Sequence, residues 1–112
     1  MSYSMAHYNG QCIMHSEVCN ELTDLYRRKN HDYGDSFHQE YAEDGILVAK
    51  FHLAEKFNRF KKLIKAEGEV KTESVRDTLI DLANYAIMTV MELDAEAEKL
   101  KEQEGARPND EV

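Results

Sequence analysis

Three polar side chains, Asp77, Asp81 and Asn84, interrupt the largely apolar stretch that runs from Val75 to Leu93. Their offsets of four and three residues place them on one side of a helix, stacked over two turns. A buried carboxylate without a partner costs several kcal/mol, so such groups are usually paired, protonated or bound to a cation. Carboxylate oxygens are the ligands that hard cations such as Mg²⁺ prefer. The pattern therefore favours a divalent metal site on this helix.

Each of these residues also has a structural interpretation. Asp77 follows Ser74 by three residues, as in an approximate capping box, and could act as a helix-start residue. Asp81 lies too deep in the helix for capping, and its alternative is an interhelical salt bridge. Asn84 remains open between ligand contact and a buried hydrogen bond to another helix.

A second charged group, at helical offsets of three and four, precedes this helix in the chain. Glu55 is a candidate metal ligand, while Lys56 and Arg59 are candidate contacts to phosphate oxygens. Glu55 and Arg59 also have the order of a local ion pair, worth only about 0.2–0.5 kcal/mol. His52, one turn before Glu55, either orients a water or a carboxylate or is structural.

The segment KNHDYGDSF is predicted to be a loop, because it is rich in turn formers and Gly34 can adopt a positive φ. Tyr33 and Phe37 are larger than a plain turn requires, and an aromatic ring offers a stacking face for a nucleobase. The alternative is a segment that only turns the chain. The loop residues predicted to contact a ligand are Lys29, Asn30, Asp32, Tyr33 and Asp35.

The fold class predicted is all-α, because Pro108 is the only proline and no strand pattern or repeat is visible. We expect a helical bundle of three main helices per chain, completed by oligomerisation, since a chain of 112 residues buries only about two thirds of its unfolded surface. The predicted helices run from about Gln11 to Lys29, from Asp44 or Gly45 to about Ala66 with Gly68 closing the helix, and from a cap at Thr72 or Ser74 to about Leu100.

One folded domain is expected over residues 11–98, with a flexible N-terminus at 1–10 and a flexible acidic tail at 99–112. Cys12 and Cys19 lie seven residues apart, on the same helix face two turns from each other. Two cysteines are too few for a disulfide framework. We expect both to be reduced and buried as small apolar residues, with zinc ligation as the other interpretation.

A formal net charge of −8 argues against a nucleic-acid duplex as the partner, since a phosphate backbone is normally met by clustered Lys and Arg. A small phosphorylated ligand remains compatible with this charge. No apolar run approaches the roughly 20 residues of a membrane span, and Met1–Gly10 lacks the features of a signal peptide. We expect a cytoplasmic protein with no membrane partner.

Three segments occur in order: KNHDYGDSF, a helix containing EKFNR, and ESVRDTLIDLANYAIM. Together they resemble the phage and bacterial nucleotide-modification-associated domain family, over roughly Glu17 to Val90. That family in turn resembles, more distantly, the all-α nucleoside triphosphate pyrophosphohydrolases of the MazG and dimeric dUTPase type. Those proteins are helical dimers or tetramers that bind Mg²⁺ through acids on two helices and cleave an NTP to NMP and pyrophosphate.

The resemblance implies that Asp77 and Asp81 are the acidic pair of the last helix and Glu55 the acidic position of the preceding one, together holding Mg²⁺ or Mn²⁺. The pyrophosphohydrolase pattern has a glutamate cluster, E-E-x-x-E, where this chain has one acid. Reserve ligands would be Glu17, Glu21 and Glu73. The catalytic candidates are Glu55, Lys56 and Asp81, and the substrate-binding candidates outside the loop are Lys56, Arg59 and Asn84.

Two functions are therefore expected from the sequence. The first is a Mg²⁺-dependent pyrophosphohydrolase acting on a nucleotide or deoxynucleotide, in phage nucleotide metabolism or DNA modification. The alternative is a non-catalytic protein that binds or sequesters a nucleotide or a nucleotide-derived signal. A purely structural helical oligomer is a third hypothesis. In the first two cases we expect a homodimer or homotetramer whose partner subunit completes the pocket.

Overall fold

The computed structural model describes residues 4–65 and 72–106, which form four α-helices and one π-helical turn. No strand occurs in these ranges, so the all-α prediction is confirmed. The elements are α1 Met5–Arg28, the π-helical turn His31–Asp35, α2 Ser36–Asp44, α3 Ile46–Lys65 and α4 Thr72–Ala106.

The segment predicted to be a loop contains the π-helical turn and the first two residues of α2, and α2 is a fourth helix beyond the three expected. Asp35 N–H donates to the carbonyl of Asn30, five residues back, at 2.7 Å, which is the π-helical pattern. Gly34 does not have a positive φ. A Cβ there would lie 2.6 Å from Asn30 Oδ1 and 2.7 Å from Tyr26 Cε2. This position therefore requires glycine for close approach and not for backbone freedom.

The chain divides into two compact units, Met1–Ser36 and Phe37–Val112. The first unit contains α1 and the π-helical turn, with Leu22 and Gly34 buried. The second unit contains α3, α4 and all but the first residue of α2. Its buried apolar residues are Phe37, Tyr41, Ala49 and Met88.

Helix α1 begins at Met5, six residues before the predicted start at Gln11. Ser4 caps it, since its hydroxyl accepts the N–H of His7 at 3.1 Å. The prediction that Cys12 and Cys19 are buried is wrong, because both are exposed free thiols.

Helices α3 and α4 pack against each other in antiparallel register. Moving along α3, the ring of His52 stacks on that of Tyr85, Lys56 pairs with Asp81, and Arg59 bonds to Thr78. Residue numbers on α4 fall as those on α3 rise. The contacts repeat at offsets of three and four on both helices, so one stripe of each faces the other.

Helix α2 runs in the same direction as α4. His38 Nδ1 lies 2.6 Å from Glu92 Oε1, and the hydroxyl of Tyr41 bonds to Glu96, so the residue numbers rise together. Because α3 is antiparallel to α4, the chain must reverse between α2 and α3. It does so at Gly45, which has a φ of 75° and donates its N–H to the carbonyl of Tyr41 at 2.8 Å.

Helix α4 begins at Thr72 and continues to Ala106, beyond the predicted end near Leu100. Ser74 lies inside the helix, where its carbonyl accepts a bond from Thr78, so it is not the cap. The predicted end of the preceding helix at Ala66 and Gly68 lies outside the described residues. Although α4 has 35 residues, no helix in the described part of the chain is long and apolar enough to cross a membrane.

Replacing Gly45 by alanine is expected to lower the free energy of unfolding by about 1–2 kcal/mol, because a Cβ is disfavoured in the left-handed region. Crowding is not the cause, since no atom lies within 4 Å of that Cβ position. Gly10→Ala is the matched control, in the interior of α1 and equally open. It should raise the same free energy by about 0.5–1 kcal/mol. Urea denaturation measures both, and effects of the same sign would contradict the assignment.

Candidate functional site

An open cleft of about 680 Å³ lies between α3 and α4, within the size range of small-molecule sites. Carboxylates and cations line it in equal number. The carboxylates are Glu55, Asp77 and Asp81, and the cations are Lys56, Arg59 and Lys62. Sequence reasoning missed Lys62, although it lies three residues after Arg59 and continues the same helical stripe.

Lys56 and Asp81 form an ion pair across the cleft. Lys56 Nζ lies 3.5 Å from Asp81 Oδ2, and the two side chains are 21% and 34% exposed. The interhelical salt bridge that the sequence left open for Asp81 is therefore present. A ligand that enters the cleft meets a carboxylate and an ammonium that already neutralise each other.

Arg59 is held in place by a bond to α4. Its Nε donates to Thr78 Oγ1 at 3.3 Å, and this hydroxyl in turn donates to the carbonyl of Ser74 at 2.8 Å. Thr78 is buried, with 2% of its surface exposed. The Nε bond uses one of the five donors of the guanidinium. The local Glu55–Arg59 pair, the alternative from sequence, is not among the ion pairs of the described residues.

An aromatic stack lies one helical turn from the Lys56–Asp81 ion pair, toward the start of α3. The rings of His52 and Tyr85 are parallel within 6°, with centroids 4.5 Å apart. His52 Nε2 lies 2.8 Å from Glu40 Oε2, and Phe37 packs on both stacked rings, 5.9 Å from His52 and 5.8 Å from Tyr85. His52 does not line the cleft. These contacts favour the structural interpretation of His52, and its partner Glu40 was not foreseen.

Two carboxylates of the cleft, Asp81 and Glu55, influence the pKa of the Tyr85 hydroxyl. Burial raises the pKa of Tyr85 most, and the negative charges of Asp81, Glu55 and Glu40 raise it further. The folded protein therefore retains the neutral phenol to higher pH than an unfolded chain does. Asp81 lies on α4 and Glu55 on α3, so carboxylates of both helices contribute to the raised pKa of this hydroxyl.

Asn84 lies one turn beyond Asp81 on α4 and is 2% exposed. It does not line the cleft. Its side chain has a hydrogen-bonding partner, as do all buried polar side-chain atoms in the described part of the chain. These facts favour the buried hydrogen bond over ligand contact, and a role in substrate binding stays a prediction.

The five predicted ligand contacts of the KNHDYGDSF segment belong to the first unit, at or within the π-helical turn. Lys29 N–H caps α1 through the carbonyl of Leu25 at 3.0 Å, and Asn30 Nδ2 donates to Asp35 Oδ1 at 3.3 Å. Asp32 is exposed and Tyr33 half-buried. Their contact with a ligand remains a prediction.

The described residues contain no group of three or more His, Cys, Asp or Glu side chains arranged to hold a metal ion. Glu55, Asp77 and Asp81 thus line one cleft without forming a three-ligand group. Mg²⁺ commonly keeps several waters and takes only one or two protein carboxylates, with substrate phosphates as further ligands. The oxygen donors of the cleft fit a metal site of that kind, in which the substrate completes the coordination.

The fold and the site define an all-α protein with a mixed-charge cleft between two antiparallel helices. The family model described as Nucleotide modification associated domain 1 matches residues 29–93, more than half of the chain. The chain therefore belongs to this family, and the matched region includes every residue that lines the cleft. Searches of curated proteins and of solved structures returned no significant match.

Replacing Tyr85 by phenylalanine is expected to reduce the loss of stability at alkaline pH. An unfolded tyrosine ionises near pH 10, whereas the pKa of Tyr85 is raised in the folded protein. The unfolded state therefore loses its proton first, and stability declines as pH rises through the folded pKa. Urea denaturation from about pH 8 to about pH 11 should give a shallower decline for the variant. Equal slopes would contradict the proposed environment of the hydroxyl.

Asn84→Ala should lower the free energy of unfolding by about 1–3 kcal/mol, because it leaves a buried hydrogen-bonding partner unsatisfied. Asn20→Ala, at an exposed position in the interior of α1, is the control and should not lower it, because alanine has the higher helix propensity. Thermal or urea unfolding makes the comparison. A stable Asn84→Ala variant with weakened ligand binding would instead support the substrate-binding prediction.

Proposed function

We propose that the cleft between α3 and α4 binds the triphosphate of a nucleotide or deoxynucleotide and, with Mg²⁺, hydrolyses it to the monophosphate and pyrophosphate. The observation that carries this proposal is the grouping of three cations with three carboxylates in one cleft of suitable size. Lys and Arg side chains make charge-assisted hydrogen bonds to phosphate oxygens. Family membership supports a nucleotide-related ligand.

The carboxylates of Glu55, Asp77 and Asp81 are the proposed metal ligands. One or two of them suffice when water and substrate phosphate complete the coordination of Mg²⁺. Bound Mg²⁺ would supply neutralisation of the charge on the phosphate oxygens. Carboxylates also suit Mn²⁺, which could serve in its place.

The side chains of the cleft would divide the remaining work. With Asp77 and Asp81 as the ligands of the metal, Glu55, exposed on α3, would accept the proton of a water that attacks the α-phosphorus. The bond from that phosphorus to the bridging oxygen breaks, and pyrophosphate leaves. Lys56, drawn from Asp81 to the phosphates, and Arg59, oriented by Thr78, stabilise the charge that develops on the leaving group.

A second candidate function is nucleotide binding without catalysis. The observation that favours it is the lack of a three-ligand metal group in the described residues, together with the Lys56–Asp81 pair. In this case the cations hold the phosphates, and the protein sequesters a nucleotide or a nucleotide-derived signal. Family membership is equally compatible with this function.

We also propose that the protein acts as a homodimer or homotetramer in the cytoplasm. Large apolar side chains are exposed on α3 and α4, among them Leu47 at 68%, Phe51 at 65% and Val90 at 54%. Exposed apolar surface of this kind often marks an interface. We further propose that the second subunit completes the pocket.

Pyrophosphate release from a panel of NTPs and dNTPs with Mg²⁺ tests the hydrolase proposal. Asp81→Asn keeps the shape of the side chain but removes its charge, and should lower kcat by about 100-fold or more. Asp94→Asn is the matched control, because Asp94 is exposed on α4 and outside the cleft. It should retain activity.

Calorimetric titration with the same nucleotides separates the two functions. Binding without turnover, lost in Arg59→Ala, would replace the hydrolase by the binding protein. Neither turnover nor binding, in a folded wild-type protein, would overturn both.

A further inference from the structure

A thiol and an imidazole lie side by side on α1, in the first unit and outside the cleft of the second. Cys19 Sγ is 3.6 Å from His15 Nδ1, and both residues are exposed. They are four residues apart, which places them on the same helix face one turn from each other. Thiolate and imidazole are the ligands that structural zinc sites use.

The separation of these two atoms matches that of two ligands on one zinc ion. Zn–S bonds are about 2.3 Å and Zn–N bonds about 2.0–2.1 Å in tetrahedral sites. At a tetrahedral angle, bonds of these lengths place sulfur and nitrogen about 3.6 Å apart. The observed 3.6 Å therefore matches the spacing that a shared zinc ion requires.

We propose that two copies of this chain bind one Zn²⁺ between their α1 helices, with His15 and Cys19 supplied by each copy. Closed structural zinc sites have four protein ligands. The described residues of one chain contain no group of three or more His, Cys, Asp or Glu side chains that could hold a metal, so this pair alone cannot close a site. A two-fold axis between two copies would bring together two such pairs, which gives the four ligands of a Cys₂His₂ site.

The surface next to the pair suits a second copy of the chain. Met14 and Val18, 60% and 41% exposed, lie with Cys12, His15 and Gln11 around a shallow depression of about 600 Å³. None of these residues is acidic. Two copies that each carry a net charge of −8 repel one another, and this patch contributes no acidic side chain to that repulsion. Its apolar side chains would also shield the metal from water.

The proton balance of the site is simple. Each Cys19 thiol releases one proton to solvent, and the two thiolates offset the charge of Zn²⁺. Each imidazole binds in its neutral form through Nδ1 and keeps its proton on Nε2. Binding is therefore expected to weaken as the pH falls and the ligands become protonated.

Titration of the full-length, reduced protein with Co²⁺ tests the proposal. Thiolate-to-cobalt charge-transfer absorption and the strong visible bands of tetrahedral Co²⁺ should appear and saturate at one ion per two chains, and Zn²⁺ should displace them. Cys19→Ser and His15→Ala should each weaken binding by more than about 100-fold, since loss of a second-shell partner alone costs about 10- to 100-fold. Cys12→Ser removes the other exposed thiol of α1, which also lines the depression, and should weaken binding by less than about 10-fold because both proposed ligands remain.

Circular dichroism confirms that the variants remain helical, and sedimentation velocity with and without Zn²⁺ follows association. Metal-dependent association in wild type and Cys12→Ser, absent from Cys19→Ser, would support the shared site. If the wild type already associates without metal, the cobalt spectrum and the number of Co²⁺ ions bound per chain test the proposal instead. Three outcomes would each overturn the proposal: no tetrahedral bands in the wild type, saturation at one ion per chain, or an equal loss of Co²⁺ affinity in Cys12→Ser and Cys19→Ser. The pair would then be a thiol–imidazole hydrogen bond only.

Discussion

The antiparallel register of α3 against α4 determines every other feature of the cleft. Three successive contacts along the seam are polar or aromatic: His52 with Tyr85, Lys56 with Asp81, and Arg59 with Thr78. A slip of one residue on either helix would turn its side chains by about 100° and break all three. Polar groups in a seam are costly unless paired, so the native register is strongly favoured over its neighbours. Burial of apolar residues such as Ala49 and Met88 drives the helices together, and the polar pairs select how they meet.

Helical periodicity was sufficient to predict which charged residues share a face. Offsets alone place Glu55, Lys56 and Arg59 on one face and Asp77 and Asp81 on another, and all five line one cleft. His52 and Asn84, which the same offsets include in these groups, do not line it. The pairing across the seam could not be predicted in the same way. Offsets within a helix carry no information on its register against a neighbour, which depends on the connecting segment and on all the packed side chains together.

The roles of two glycines show where local composition is insufficient. Gly34 lies among turn formers and was expected to have a positive φ, yet it lies in a π-helical turn and is required by the nearness of Tyr26 and Asn30. Gly45 is the residue with a φ of 75°. The turn-forming residues before α2 also prevented its prediction from the sequence. The contacts of His38 and Tyr41 with α4 determine the direction of α2. In each case a tertiary contact decides the backbone conformation, and no single segment contains that information.

The Lys56–Asp81 pair has a thermodynamic consequence for any ligand of the cleft. If the cleft binds a phosphate and a metal ion as proposed, a phosphate that attracts Lys56 would open Asp81 to the metal ion, and a metal ion that attracts Asp81 would release Lys56 toward the phosphate. Each ligand would then increase the affinity for the other, and linkage requires the two increases to be the same factor. The cleft would respond to the magnesium complex of a nucleotide more strongly than to either component alone. The Lys56–Asp81 ion pair would thereby make tight binding in the cleft depend on a cation and an anion being present together.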